Sequence, residues 1–345
     1  MDLQNIWFVI IAIFWVGFFV LEGFDLGVGM LHWFVGKNDT ERRVAINSIG
    51  PFWDGNEVWL IVGGAAIFAA FPGWYATMFS SLYLALVLVL LALMARGVAF
   101  EYRGKKDSQR WRSGWSLALG IGSALIPLLL GVGLGDLLVG LPIGADQEYA
   151  GTFWNLLTPY GLLTGVGLLV LCLSHGASFL ALKTTGEVQQ RSHRYAVQFG
   201  RLAAILVLLW VIATILVAGV KPVSVVFMVL AVLGVALSVL YQGKGRDGMA
   251  FTLSAIGIGA TVATLFASLF PNVMVSSLDA AYNLTVENTA SGNYALTIMT
   301  WVAVIMFPVV LIYQAWNYWV FRQRVGTPPA QETPEPQPAT TPPTT

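Results

Sequence analysis

Nine stretches of this sequence stay apolar for about 20 residues, at 6–34, 51–71, 75–100, 113–138, 153–182, 198–218, 224–241, 249–270 and 294–321. A helix rises 1.5 Å per residue, so about 20 apolar residues cross the hydrocarbon of a bilayer. Only helices and closed barrels satisfy every backbone polar group there. Nine such stretches leave little chain for anything else, and the expectation is an all-α integral membrane protein with about nine transmembrane helices. Composition agrees: 57% of the residues are hydrophobic and 10% charged, with a mean hydropathy of +0.73, where a soluble domain carries roughly 25% charged residues. Net charge is zero, which removes any electrostatic case for nucleic acid. One cysteine, Cys172, permits no internal disulfide and no thiolate metal cluster. Met1–Asn5 is not basic and the first apolar run is too long for a signal peptide, so that run reads as a span.

Lys and Arg in the connections set the orientation. Seventeen of the 18 basic residues fall at alternate span ends, and Lys221 alone falls at the other set. The basic side is therefore expected to be cytoplasmic, with the N-terminus outside and the C-terminus inside. Asp136, Asp146, Glu148, Asp279 and Glu287 then lie in outer loops. Aromatic residues crowd the span ends (Trp7, Trp33, Trp74, Trp111, Trp115, Trp154, Trp316, Tyr318, Trp319) and read as interfacial anchors. Residues 1–325 form the membrane domain. From 326 to 345 the chain is Pro/Thr-rich without apolar periodicity and reads as a disordered cytoplasmic tail.

Carboxylates interrupt the first two apolar runs. Glu22 and Asp25 stand three apart in the first, Asp54 and Glu57 three apart in the second, so each pair shares a helix face. A carboxylate at bilayer depth costs about 2.5–3.5 kcal/mol on insertion scales, and acids inside spans are functional by default. Counted from the outer end, Glu22 lies roughly 24 Å deep and Asp25 roughly 29 Å. Asp54 and Glu57 begin the second span at the inner surface, and Glu101 ends the third. All five acids are expected near the cytoplasmic ends of three sequential helices, where such groups can take and release protons. The plainer reading is structural. Asp54 near a helix start gains from free N–H groups, with Arg42 and Arg43 a short loop away. Glu101 reads best as a surface ion pair with Arg103.

His32, His175 and His193 are the only histidines. No two are spaced for haem or copper, His175 reads as a hydrogen-bonded packing residue, and His32 and His193 read as solvated. Gly17, Gly23, Gly27 and Gly29 on the first span, and Gly63-Gly64 on the second, give small-residue spacing for close helix approach. No phosphate-binding fingerprint follows a strand.

Longer motifs carry a resemblance. Gly23-Phe24-Asp25-Leu26-Gly27-Val28-Gly29-Met30-Leu31, Asn38-Asp39-Thr40-Glu41-Arg42-Arg43 and Asn47-Ser48-Ile49-Gly50-Pro51-Phe52-Trp53-Asp54-Gly55-Asn56-Glu57-Val58-Trp59-Leu60 are similar to signatures of subunit II of the cytochrome bd quinol oxidases. Phe68-Ala69-Ala70-Phe71-Pro72, Arg110-Trp111-Arg112, Asn155-Leu156-Leu157-Thr158-Pro159-Tyr160-Gly161-Leu162-Leu163 and Met299-Thr300-Trp301-Val302-Ala303-Val304 extend it to the last span.

The resemblance implies two four-helix bundles plus one further helix, in a bacterial plasma membrane. It implies a subunit of a quinol:oxygen oxidoreductase in which this chain has no catalytic residue and ligates no metal. Two b-type haems and one d-type haem then belong to the partner, subunit I. By motif match Asp54 is the family's proton-pathway aspartate, Asp25 and Glu101 match acids near that route, and Trp53 faces the partner. Glu22 and Glu57 join the candidate pathway by proximity. The family also implies membrane quinol, lipid, a possible structural quinone and possible small accessory subunits. Three departures stand out: Glu101 where Asp occurs in other members, a short outer link around Lys221-Pro222, and the Pro/Thr tail. From the residues alone, a proton-coupled membrane transporter is the alternative. It requires interrupted helices near the midplane, for which Pro127 and Pro308 are the candidates.

Overall fold

The computed structural model describes residues 2–326; of the Pro/Thr tail expected over 326–345, all but Gly326 lies outside the described residues. Twelve helices follow one another: α1 (Leu3–Val35), α2 (Asp39–Ile49), α3 (Trp53–Ala70), α4 (Pro72–Ser81), α5 (Tyr83–Tyr102), α6 (Gln109–Val139), α7 (Pro159–Lys183), α8 (Gly186–Ala218), α9 (Pro222–Gly243), α10 (Asp247–Leu269), α11 (Val286–Thr289) and α12 (Asn293–Val320). Strands β1 (Asn272–Met274) and β2 (Leu284–Thr285) pair antiparallel in the loop after α10.

Eight helices, namely α1, α5, α6, α7, α8, α9, α10 and α12, are long and apolar enough to span. Helix α3 is the ninth by arrangement: it packs along α1, but Asp54, Asn56 and Glu57 in its first turns lower its hydropathy. Helices α1, α3, α5 and α6 form one four-helix group and α7–α10 a second, joined where α1 packs on α7 and α10. Helix α12 lies outside both, against α1 and α3.

Three local features differ from the sequence expectations. The third apolar run is broken at Leu82 into α4 and α5; Phe71 makes the tight turn and Pro72 opens α4, where a missing N–H costs nothing. Helix α8 begins at Gly186, twelve residues before its apolar run, because polar residues 186–197 stay helical beyond the hydrocarbon. Helix α2, too polar to span, starts at the Asn38 cap, whose side chain accepts from the Glu41 amide at 2.9 Å. Helices α6 and α12 run unbroken through Pro127 and Pro308.

Close approach of α1 and α7 is made by glycine. A Cβ on Gly27 would lie 2.0 Å from the Cys172 carbonyl oxygen, and one on Gly176 2.6 Å from the Gly27 backbone. Only the absence of both side chains lets these backbones touch. Gly63 and Gly64 have ordinary space around them and are not used this way. Large apolar side chains such as Leu216, Ile312 and Leu90 point outward from α8, α12 and α5, the pattern of helices bathed in lipid. Trp7 and Trp74 are not in an interfacial belt: both are buried in the core.

Candidate functional site

The acids of α1 and α3 converge on a cation that the loop count misplaced. Arg96 is not at a span end; it lies inside α5 with no exposed surface. Its Nη1 donates to Glu57 Oε2 at 2.9 Å and lies 2.6 Å from Glu22 Oε1, in ion-pair contact but off the line of a hydrogen bond. Glu22 and Asp25 are fully buried one turn apart on α1, and Glu57 keeps 19% of its side chain exposed. Glu22 and Glu57 thus share one guanidinium, with Asp25 one turn along α1 from Glu22. Removing an ion from water is costly without partners, so an isolated member of this set would be strongly disfavoured.

The cluster also holds unspent hydrogen-bonding capacity. Both Glu22 oxygens, Asp25 Oδ1 and Arg96 Nε and Nη2 have no hydrogen-bond partner among the described residues.

Asp54 lies at the start of α3. It is exposed in the first turn of α3 and makes no ion pair among the described residues, with Arg42 and Arg43 engaged elsewhere or free of it. It shares a face of α3 with Glu57 one turn on. Exposure falls from Asp54 through Glu57 to Glu22 and Asp25. Glu101 stands apart: it is exposed at the end of α5, and Arg103, its expected partner, instead bonds Ser116 and pairs with Asp39 of α2. Trp53 stacks on Phe100 with ring centroids 4.6 Å apart, and the Arg96 guanidinium lies 5.9 Å from its ring, so it roofs the buried cation.

Asn56, Gln314 and Tyr318 were missed by the sequence reading. Asn56 Nδ2 donates to Asp25 Oδ2 at 2.6 Å, and Asn56 Oδ1 accepts from Tyr318 Oη and Gln314 Nε2 of α12. Tyr318, read as a belt residue, is drawn inward by this bond and by stacking on Phe52 at 4.6 Å. The signal for Asn56 was present, an amide beside two acids in an apolar run. Nothing in α12 announced its partners.

Other expectations resolve plainly. His175 Nδ1 meets Ser254 Oγ at 2.6 Å, its Nε2 meets the Val20 carbonyl at 3.0 Å, and its ring stacks on Phe251, so both nitrogens are engaged in packing. His32 is buried rather than solvated, bonded through Nδ1 to the Gly29 carbonyl. His193 is part-exposed beside Asp247 and Gln242. Asp136 is not in a loop but in the last turn of α6, fully buried, accepting from Thr158 Oγ1. No group of three metal-binding side chains occurs among the described residues.

Between α3 and α12 lies a groove of about 640 Å³. Helix α12 is tied down at both ends, by Trp7 Nε1 to Thr300 Oγ1 and by Asn317 Nδ2 to the Pro51 carbonyl, and touches α3 between them through Phe307 on Trp59 and through Gln314. The groove is apolar along its length, with Asn56, Gln314, Asn317 and Tyr318 at one end.

Residues 3–321 match the family model described as cytochrome bd terminal oxidase subunit II. The chain belongs to that family. It is 45% identical over 329 residues to the cytochrome bd ubiquinol oxidase subunit 2 of Bacillus subtilis (strain 168), covering 94% of this chain and 97% of that one. It is 37% identical over 364 aligned positions to the cytochrome bd-I ubiquinol oxidase subunit 2 of Escherichia coli (strain K12), covering 94% and 95%. A chain from the structure of bd oxidase from Geobacillus thermodenitrificans superposes with a TM-score of 0.72 at 17% identity, over 94% of this chain and 100% of that one, which shows the shared fold. Membership of the cytochrome bd subunit II family accounts for the two four-helix groups and the outlying α12.

Proposed function

We propose that this chain is the haem-free subunit of a quinol-oxidising cytochrome bd oxidase, which stabilises a haem-bearing subunit I and carries protons inward from the cytoplasm. Two b-type haems and one d-type haem in that partner supply the redox chemistry when the complex is assembled. The N-terminus is outside and the C-terminus cytoplasmic, because 17 of 18 basic residues were assigned to one side and moving Arg96 into a span leaves that bias intact.

The observation that carries the proton reading is the graded set of acids around Arg96. Asp54 exchanges protons with water at the α3 start. Glu57, mostly buried and bonded to Arg96, receives them next. Glu22 and Asp25 form the buried end, where Arg96 balances one negative charge and free carboxyl oxygens accept protons. Glu101 is not on this route. Trp53 roofs Arg96 and presents its outer face to subunit I.

The α3–α12 groove fits a structural quinone: an apolar trough suits an isoprenoid tail, and Asn317 with Gln314 offers amides to a quinone carbonyl at one end. Small accessory subunits and lipid would cover the apolar faces of the outer helices.

Affinity purification from native membranes, with an optical difference spectrum and quinol-driven oxygen uptake, tests this. A larger haem-bearing partner that co-purifies with oxygen consumption is the expected result. A protein that emerges alone, stable and colourless from membranes that hold the oxidase overturns it.

A further inference from the structure

Asp25 is held by one amide, and the orientation of that amide is decided elsewhere. Asn56 Nδ2 reaches both Asp25 Oδ2 at 2.6 Å and the Leu21 carbonyl at 3.2 Å. An asparagine amide turned by half a rotation keeps its shape but exchanges donor for acceptor. Turned that way, Asn56 would set its one side-chain oxygen against both the Asp25 carboxyl and the Leu21 carbonyl.

Helix α12 forbids that turn. Tyr318 Oη and Gln314 Nε2 both donate to Asn56 Oδ1, at 2.9 and 3.1 Å. Gln314 has the same ambiguity, but Trp59 removes it: an indole N–H only donates, and Trp59 Nε1 donates to Gln314 Oε1 at 3.0 Å. Trp59 in turn lies flat over Gly17, where a Cβ would come within 2.2 Å of its ring. The direction of every bond then follows from one indole: Trp59 to Gln314, Gln314 to Asn56, Asn56 to Asp25.

We propose that Asn56 is a positioning residue for Asp25, held in its donating orientation by Gln314 and Tyr318, so that the docking of α12 governs how Asp25 exchanges protons. This rests on the reading of Asp25 as a proton carrier. The charged and titratable groups around Asp25 are Glu22 on its own helix, Glu57 from α3, Arg96 from α5 and Tyr318 from α12, while Cys172 of α7 faces Glu22. Asn56 is the member that bonds Asp25 directly and is itself bonded to α12.

The experiment uses the assembled complex and reads the pH profile of quinol-driven oxygen uptake in Asp25→Asn, Asn56→Leu, Tyr318→Phe and Gln314→Met. Tyr318→Phe keeps the stack on Phe52 and removes only the hydroxyl. Each α12 variant is expected to slow turnover by about fivefold, the worth of one neutral hydrogen bond. Each should also displace the pH profile by about half a unit or more, in the same sense as Asn56→Leu. Combining either with Asn56→Leu should add nothing, since both act through that amide. Wild-type pH profiles in assembled Tyr318→Phe and Gln314→Met complexes, with Asp25→Asn still impaired, overturn the positioning role alone. Unchanged turnover and profile in Asp25→Asn overturn the proton-carrier reading beneath it. Should Tyr318→Phe fail to assemble, Gln314→Met decides by the same criteria.

Discussion

Arg96 and Glu22 are both sealed from solvent, 2.6 Å apart on helices that are not neighbours in sequence. Removing the cation alone would leave three carboxyl groups facing each other without compensation. Arg96→Leu is therefore expected to destabilise the subunit by about 3–5 kcal/mol. Thermal unfolding of the detergent-solubilised complex measures it. Adding Glu22→Gln should recover part of the loss, because one uncompensated charge is then gone; an unchanged unfolding midpoint in Arg96→Leu would show that the pair is dispensable.

Asp54 and Glu101 are both exposed acids at helix ends, but Asp54 shares a helix face with Glu57 of the cluster, and Glu101 ends α5. Asp54→Asn should leave the complex assembled and slow oxygen uptake on the order of a hundredfold, the low end of what a positioned proton-transfer group contributes. Glu101→Gln should assemble and turn over near the wild-type rate. Equal losses in the two variants would contradict the route assigned here.

The α1–α7 crossing has no room for a methyl group. Gly27→Ala would drive its Cβ into the Cys172 carbonyl, and backbone cannot move aside as a flexible side chain can. Overpacking of this kind costs about 1–3 kcal/mol. Gly64→Ala, where only Phe79 lies within reach at 3.9 Å, is the matched control and should be near neutral. Complex yield and unfolding midpoint compare the two.

Glu41 ties α2 to α8 outside the membrane. Its Oε2 accepts from the Lys37 amide at 2.7 Å and lies 2.7 Å from Arg191 Nη2. Burial alone would push the Glu41 carboxyl up, but the Lys37 amide and Arg191 outweigh it and hold it below the usual carboxylate range. A depressed folded value means that the contact stabilises above the ordinary glutamate range and is lost as pH falls through the folded value. Protection factors of the α2 amides, with the intrinsic pH dependence of exchange divided out, should therefore stay high near neutrality and fall at acid pH. In Glu41→Gln, exchange should be faster near neutrality and lose that pH dependence.

The sequence by itself determined the spanning helices, because hydrocarbon leaves a backbone no other way to satisfy its polar groups over 20 apolar residues. It also determined that Glu22, Asp25, Asp54 and Glu57 were the residues in question, since acids in such runs stand out against their surroundings. Which acids meet was decided by tertiary structure. Arg96 counts as a loop cation in a tally of charges, and only the packing of α5 against α1 and α3 brings it between Glu22 and Glu57. Arg103 was close to Glu101 in sequence, yet Asp39 captured it across 64 positions. Gln314 and Tyr318 look like ordinary residues of the last span. They become part of the site because α12, tied to the loop at Pro51, lays them against an amide 258 and 262 positions away. Periodicity and hydropathy report where a helix lies along the chain; hydrogen bonds between helices depend on rotation about each axis, which local sequence does not encode.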